Sequence, residues 1–81
     1  MVKKRPKKAR NQKFLDEIIQ RIKRLREEKG ISQEIFYGDT GINIGRIERG
    51  LRDFNMTTLH SICEYFEISP EDFFKGLKKN I

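Results

Sequence analysis

Residues 32–50 read SQEIFYGDTGINIGRIERG, and this stretch decides the fold of the 81-residue chain. Ser32 is a preferred N-cap residue, so it predicts the start of a short helix. This helix is expected to bury Ile35 and Phe36 and to end before Gly41, because residues 38–41 are poor helix formers or turn residues. The first part of the stretch therefore predicts one capped helix followed by a turn.

The second part of the stretch restarts the helical pattern almost at once. Asn43 is a good N-cap, and Ile44 and Ile47 lie three residues apart on one helix face. Gly50 closes this helix after about six residues. Two helices joined by so short a turn, the second carrying exposed arginines, indicate a helix-turn-helix.

Upstream of this pair, apolar residues at three- and four-residue spacing predict a helix from about residue 12 to Lys29. Gly30 suits the left-handed position that ends such a helix. Lys23, Arg24 and Arg26 are interpreted as its solvated face. The predicted buried stripe consists of Phe14, Leu15, Ile18, Ile19, Ile22 and Leu25.

Downstream, two more helices are predicted, capped by Asn55 and by Ser69. Pro70 at the first helical position and the two acids that follow it make the second start especially clear. No stretch alternates with period two, so the expected fold class is all-α with five helices. The inward residues are expected to be Met56, Leu59, Ile62, Cys63 and Phe66 in one helix and Phe73, Phe74 and Leu77 in the other.

Several pieces of the sequence, in this order, resemble the Cro/CI (XRE) helix-turn-helix family. They are IKRLREEKGISQE at 22–34, TGIN at 40–43, RIERG at 46–50, Thr58-Leu59, and ISPEDFF at 68–74. The resemblance covers about residues 14–77. It implies a compact five-helix, lambda-repressor-like bundle that binds operator DNA, usually as a homodimer and without catalysis.

The chain departs from the family pattern in two places. Between the turn glycine and the Ile-Glu-x-Gly end, members of the family usually have about three more residues, so the recognition helix is predicted to be one turn short. Tyr37 stands where the family tends to have alanine, at the contact between the two helices of the motif. A tyrosine there would overpack an ordinary contact between helices, or would instead fill the space left by the shorter helix.

The charge of the chain is concentrated at its N-terminus. Seven of the 18 basic residues and no acid lie in residues 1–13, whereas the remainder holds eleven bases against twelve acids, a net charge of −1. Dense like charge with few apolar residues predicts a disordered arm (1–13) before a domain (14–81). The arm either contacts phosphates or a groove, through Lys3, Lys4, Arg5, Lys7, Lys8 and Arg10, or serves as a solubilising tail or nuclear signal.

The predicted DNA-binding residues are Gln33, Asn43, Gly45, Arg46, Arg49 and Arg52. Arg46 is the foremost candidate for a base contact, because an arginine can donate hydrogen bonds to both O6 and N7 of one guanine. A phosphate contact or an ion pair with Glu48 or Asp39 is the alternative.

The other five predicted DNA-binding residues have less specific roles. Arg49 and Arg52 are assigned to phosphates, as is Gln33 by the family resemblance, with a solvated Gln33 as its alternative. Asn43 caps its helix, touches a base, or both. Gly45 is placed on the outer face, where the backbone either approaches DNA or simply tolerates glycine.

Glu48 matches the family's usual glutamate and is interpreted as a structural residue that pairs with an arginine.

Leftover apolar residues at the acidic C-terminal end, namely Phe74, Leu77 and Ile81, predict a homodimer interface, with ordinary core packing as the alternative. A symmetric dimer would bind a pseudo-palindromic site. The expected function is a sequence-specific transcriptional regulator in the cytoplasm of a bacterium or in a phage. The alternatives are a non-specific nucleic-acid-binding protein driven by the arm and an antitoxin-like interaction module.

Composition argues against an enzyme, a metal site or a cofactor. The single cysteine, Cys63, falls on an apolar stripe and is expected to be an inert core thiol. The single histidine, His60, is expected to be exposed, and nothing supplies the third group of a catalytic set. No apolar run approaches the roughly 18 residues of a membrane span.

Overall fold

A computed structural model describes residues 12–50 and 54–77 of the chain. Within those two ranges the backbone forms five α-helices and no strand, so the predicted all-α class is confirmed. The helices are α1 (Gln12–Glu28), α2 (Gln33–Thr40), α3 (Ile44–Glu48), α4 (Met56–Tyr65) and α5 (Pro70–Lys75). Contacts between α1 and α3, α2 and α3, and α4 and α5 hold them together.

Four helices begin at the predicted polar caps. The side-chain oxygens of Ser32, Asn43, Asn55 and Ser69 each accept the backbone N–H three residues further on, at 2.8–3.1 Å. Each cap satisfies a donor that the helix leaves unpaired, and removing such a cap costs about 1 kcal/mol. All four N-caps predicted from the sequence are therefore confirmed.

The turn between α2 and α3 is held by its own backbone and by one threonine. Gly41 adopts the left-handed conformation with φ 77°, and its N–H donates to the carbonyl of Tyr37 at 2.8 Å. The hydroxyl of Thr40 donates to the carbonyl of Phe36 and accepts the N–H of Ile42. These bonds fix α3 relative to α2 across only three residues.

A single apolar core lies among the five helices. Phe36 of α2 is fully buried at its centre, where its ring lies 4.7 Å from that of Tyr65 and 5.6 Å from that of Phe66. The other core residues are Ile18, Ile19, Ile22, Leu25, Ile44, Ile47, Leu59, Ile62, Cys63 and Phe73. Cys63 is 1% exposed and burial raises the pKa of its thiol, which confirms the prediction of a core cysteine.

Four residues that the spacing assigned to buried faces are exposed instead. Phe14, Ile35, Met56 and Phe74 retain 47%, 52%, 69% and 36% of their accessible surface. Phe14 and Met56 lie in the first turn of α1 and α4, before the buried part of each helix begins. Ile35 is adjacent to Phe36, and neighbours in a helix point about 100° apart, so only one of the two faces the core.

Two arginines of α1 bind the C-terminal end of α5. Arg21 donates to the carbonyls of Asp72 and Phe73, both at 3.1 Å, and its guanidinium lies 5.7 Å from the centre of the Phe73 ring. Arg24 donates to the carbonyl of Gly76. Cations are favourable at this end because the last carbonyls of a helix lack intrahelical partners. Arg24 was predicted to be solvated, and that prediction is wrong.

Gly38 offers a direct test of the helical backbone of α2. It lies inside the helix, and an added Cβ would meet no atom within 4 Å. Gly38→Ala is therefore expected to stabilise the domain by about 0.5–1 kcal/mol, because alanine loses less backbone entropy on folding. Urea unfolding followed by circular dichroism measures the change. Gly41→Ala is the matched control and should destabilise, since alanine disfavours a φ of 77°.

The hydroxyl of Tyr65 in α4 donates to Asp39 Oδ2 in α2 at 2.6 Å. This hydrogen bond raises the pKa of Tyr65 in the folded protein. Above the ordinary tyrosine pKa of about 10, the unfolded chain therefore loses the phenolic proton first. The stability that this bond contributes is present below that pH and is lost as the pH rises through the folded pKa.

Tyr65→Phe is expected to reduce the loss of stability between about pH 10 and the raised folded pKa of Tyr65. Urea unfolding of both proteins across this range measures the difference. Tyr37→Phe is the control, because the exposed Tyr37 makes no side-chain hydrogen bond to a described residue. An identical alkaline slope for wild type and Tyr65→Phe would contradict the role of the Asp39 bond.

Candidate nucleic-acid interface

Helix α3 exposes one side chain that makes no hydrogen bond or ion pair within the described residues. Ile44, Gly45 and Ile47 are buried, and the side chain of Glu48 is only 5% exposed. Arg46 is exposed, and its guanidinium has no hydrogen bond or ion pair with any residue in 12–50 or 54–77. The ion pairs considered for Arg46 with Glu48 or Asp39 are not formed. A long cation on an otherwise buried helix is well placed to contact an anionic or acceptor-rich partner.

The two flanking positions of α3 are polar and exposed. Asn43 is the N-cap: its Oδ1 accepts the N–H of Arg46 at 3.1 Å, which leaves its NH₂ group available to donate. Arg49 is the C-cap residue, and its N–H donates to the carbonyl of Gly45 at 3.1 Å. The capping role predicted for Asn43 is confirmed. Arg52 lies outside the described residues.

Gly45 does not lie on the outer face of α3 as predicted; it is buried against α2. A Cβ added to it would lie 3.1 Å from Gln33 Oε1, which is tighter than ordinary van der Waals contact. The missing side chain therefore makes room for Gln33. Close packing between α2 and α3 accounts for this glycine within the protein.

Gln33 is the first residue of α2, and it is tied to the end of α3. Its Nε2 donates to Glu48 Oε1 at 2.8 Å, while the residue remains exposed. This bond restricts the orientation of the amide, so its second N–H is presented in a defined direction. Gln33 thus joins the two helices at the surface.

Glu48 is held by Arg26 from α1 in a nearly buried ion pair. Arg26 Nε lies 2.7 Å from Glu48 Oε2 and Nη2 lies 2.9 Å from Oε1, while Nη1 donates to the carbonyl of Ile31. The hydrogen bonds that Arg26 donates to Glu48 raise the pKa of Arg26. The structural role predicted for Glu48 is confirmed. The solvated position predicted for Arg26 is wrong, because its side chain is only 11% exposed.

An open groove of about 270 Å³ runs between α2 and α3. Its lining residues are Gln33, Glu34, Tyr37, Asn43, Gly45 and Arg49. Four of the six predicted DNA-binding residues are therefore brought together along one groove. Tyr37 is 55% exposed and lines this groove, so it does not overpack the contact between the helices.

The predicted dimer residues occupy different environments. Phe74 is 36% exposed, whereas Leu77 is partly buried and packs against the core of its own chain. Ile81 lies outside the described residues. So do the six basic arm residues predicted to contact nucleic acid, at positions 3–5, 7, 8 and 10.

The part of the chain that the structure describes contains no cluster of metal-ligating side chains. His60 is exposed, as predicted, and its Nδ1 lies 3.9 Å from Glu64 Oε1. No group of three or more metal-ligating side chains occurs among residues 12–50 and 54–77. Among those same residues, no helix combines the length and apolarity needed to cross a membrane.

Two capped helices joined by a three-residue turn, the second presenting an arginine, define a helix-turn-helix. The family model of the Cro/C1-type HTH DNA-binding domain matches residues 21–76, more than two thirds of the chain. The chain therefore belongs to this family of DNA-binding domains, which are typically non-enzymatic. Neither curated proteins nor solved structures gave a significant match.

Proposed function

We propose that this protein is a sequence-specific transcriptional regulator, a repressor or autoregulator, that inserts α3 in the major groove of double-stranded DNA. The single observation that carries the proposal is Arg46, an exposed and unpaired guanidinium on the second helix of a helix-turn-helix. Arginine bonds O6 and N7 of guanine together, and this contact is worth about 1–3 kcal/mol of discrimination.

The residues around Arg46 supply positioning contacts. Arg49 and Arg52 bind phosphates, which orient the domain without reading sequence. Gln33 donates its second amide N–H to a phosphate at the N-terminal end of α2, which itself favours anions. Asn43 donates its amide NH₂ group to a base edge. The anchoring of Gln33 on Glu48 supports this arrangement, because a fixed donor loses less entropy on binding.

The active form is a homodimer on a pseudo-palindromic operator, in the cytoplasm of a bacterium or in a phage. The exposed Phe74 supports an apolar interface, to which Ile81 and the partly buried Leu77 contribute. Two-fold symmetry then places two recognition helices about 34 Å apart in successive turns of the major groove. The protein needs no small-molecule cofactor for this activity.

The arm of residues 1–13 supplies long-range attraction to the domain of residues 14–81. Its seven basic residues give most of the phosphate neutralisation, while the domain has a net charge of −1. Discrimination between DNA sequences must therefore come from a few side chains of the domain that contact the bases. Each neutralised phosphate adds about 0.9 to the slope of log affinity against log salt.

The test begins with selection of bound sequences from a random duplex library, which also reports half-site spacing. The selected duplex and a scrambled one are then titrated at about 0.15 M salt, where a specific binder should prefer the first by at least about 10³-fold. Equal affinity for both would refute the proposed regulator.

A second candidate function is non-specific coating of nucleic acid. The observation that favours it is that α3 presents only one free side chain. Deletion of residues 1–13 separates the two functions. The coating protein would lose nearly all binding and its salt dependence, whereas the regulator would keep its preference for the selected duplex with a shallower salt slope.

A further inference from the structure

The short helix α3 has few side chains with which to distinguish one DNA sequence from another. Among the described residues of this helix, Arg46 is the sole exposed side chain. One arginine discriminates at one base pair, by about 10- to 100-fold, whereas specific sites are usually preferred by at least about 10³-fold. A specific site therefore requires at least one further reader close to α3.

The groove between α2 and α3 offers one aromatic side chain for this role. Gln33 is engaged with Glu48, and Asn43 Oδ1 is engaged with the backbone of Arg46. Tyr37 is 55% exposed, and its phenol has no hydrogen-bond partner in the two described ranges. Tyr65, by comparison, is held by Asp39.

The aromatic ring of Tyr37 favours an apolar group at its side of the groove, whereas Arg49 on the α3 side is assigned to a phosphate. The apolar group that projects into the major groove of DNA is the 5-methyl of thymine.

We propose that Tyr37 is a specificity-determining residue whose ring packs against the 5-methyl group of a thymine near the base pair that Arg46 contacts. This inference rests on the proposed function, since it requires α3 to lie in the major groove. The aromatic ring then adds an apolar contact to the readout that Arg46 and the amide of Asn43 provide. Its hydroxyl is not needed for this contact.

The test removes one methyl group at a time from the DNA. Each thymine of the selected duplex is replaced by deoxyuridine, and Kd is measured for the full chain, for Tyr37→Ala and for Tyr37→Phe. At one thymine per half-site, loss of the methyl is expected to weaken the wild-type protein and Tyr37→Phe by about threefold to fivefold. Tyr37→Ala should bind the thymine and deoxyuridine duplexes equally.

Ile35→Ala is the matched control, because Ile35 is an exposed apolar residue of α2 that does not line the groove. It should keep the wild-type dependence on the methyl group. Circular dichroism checks that each variant is folded, which the exposure of Tyr37 leads us to expect.

Three results would overturn the inference while leaving specific binding intact. They are the absence of any methyl-dependent thymine, retention of the methyl dependence in Tyr37→Ala, and a loss of that dependence in Tyr37→Phe, which would indicate a hydroxyl contact instead. If the library yields no preferred duplex, the proposed function fails as well, so the two failures are distinguishable.

Discussion

Replacing Arg46 by alanine is expected to lower the affinity for the selected duplex by about 10- to 100-fold per half-site. The affinity for scrambled DNA should fall only slightly, since one of many cations is removed. The large effect on the selected duplex is expected because Arg46 is exposed and unpaired among the described residues. The other side chains of its helix are buried or bonded. Competition titration at fixed salt measures both affinities.

Arg49→Ala is the matched control for this prediction. Arg49 is an exposed arginine at the C-terminal end of the same helix, and we assign it to a phosphate. Its loss should weaken selected and scrambled duplexes about equally and reduce the salt slope by about 1. The base-reading role of Arg46 would be contradicted if Arg46→Ala behaved in this same uniform manner.

Replacing Glu48 by alanine is expected to destabilise the domain by on the order of 3 kcal/mol. The side chains of Arg26 and Glu48 are 11% and 5% exposed, so truncating one leaves the other as a nearly buried, uncompensated charge. The same change releases Gln33, which donates to the same carboxylate. Since domains of this size have a stability of roughly 5 kcal/mol, most of it would be lost.

Urea unfolding measures this loss, with Glu64→Ala as the control. Glu64 is 70% exposed in its side chain, and its removal should change stability by less than about 0.5 kcal/mol. The double variant Arg26→Met, Glu48→Met removes both charges, and it should recover much of the stability. A loss below about 1 kcal/mol for Glu48→Ala would show that the pair is effectively solvated.

The order of the helices could be predicted because each signal is local. Each helix cap accepts a hydrogen bond from a backbone N–H three residues away, so the residue type alone indicates where the helix starts. These caps are Ser32, Asn43, Asn55 and Ser69. Gly41 is recognisable because few other residues adopt its conformation. The spacing of the apolar residues was less informative at the ends of α1 and α4, where Phe14 and Met56 are exposed.

The candidate site could be predicted only in part. Arg46 and Asn43 were identified from their place in the motif, and both lie at the surface on α3 or its cap. Gly45 lies on the inward face instead of the outer one, because it is adjacent to Ile44 in the stripe of residues that α3 buries. The exposure of Tyr37 depends on how α2 and α3 pack, which no local pattern reports.

The helices, their caps, the turn of the helix-turn-helix and the separation of charge between residues 1–13 and 14–81 follow from the amino-acid sequence alone. Local bonds and composition decide these properties, and both are visible along the chain. Only the tertiary structure decided that Arg26 binds Glu48 and that Arg21 and Arg24 bind the end of α5. Those partners lie 22 to 52 residues apart, so the packing of α1 against the other helices, rather than any local pattern, determines which charges meet.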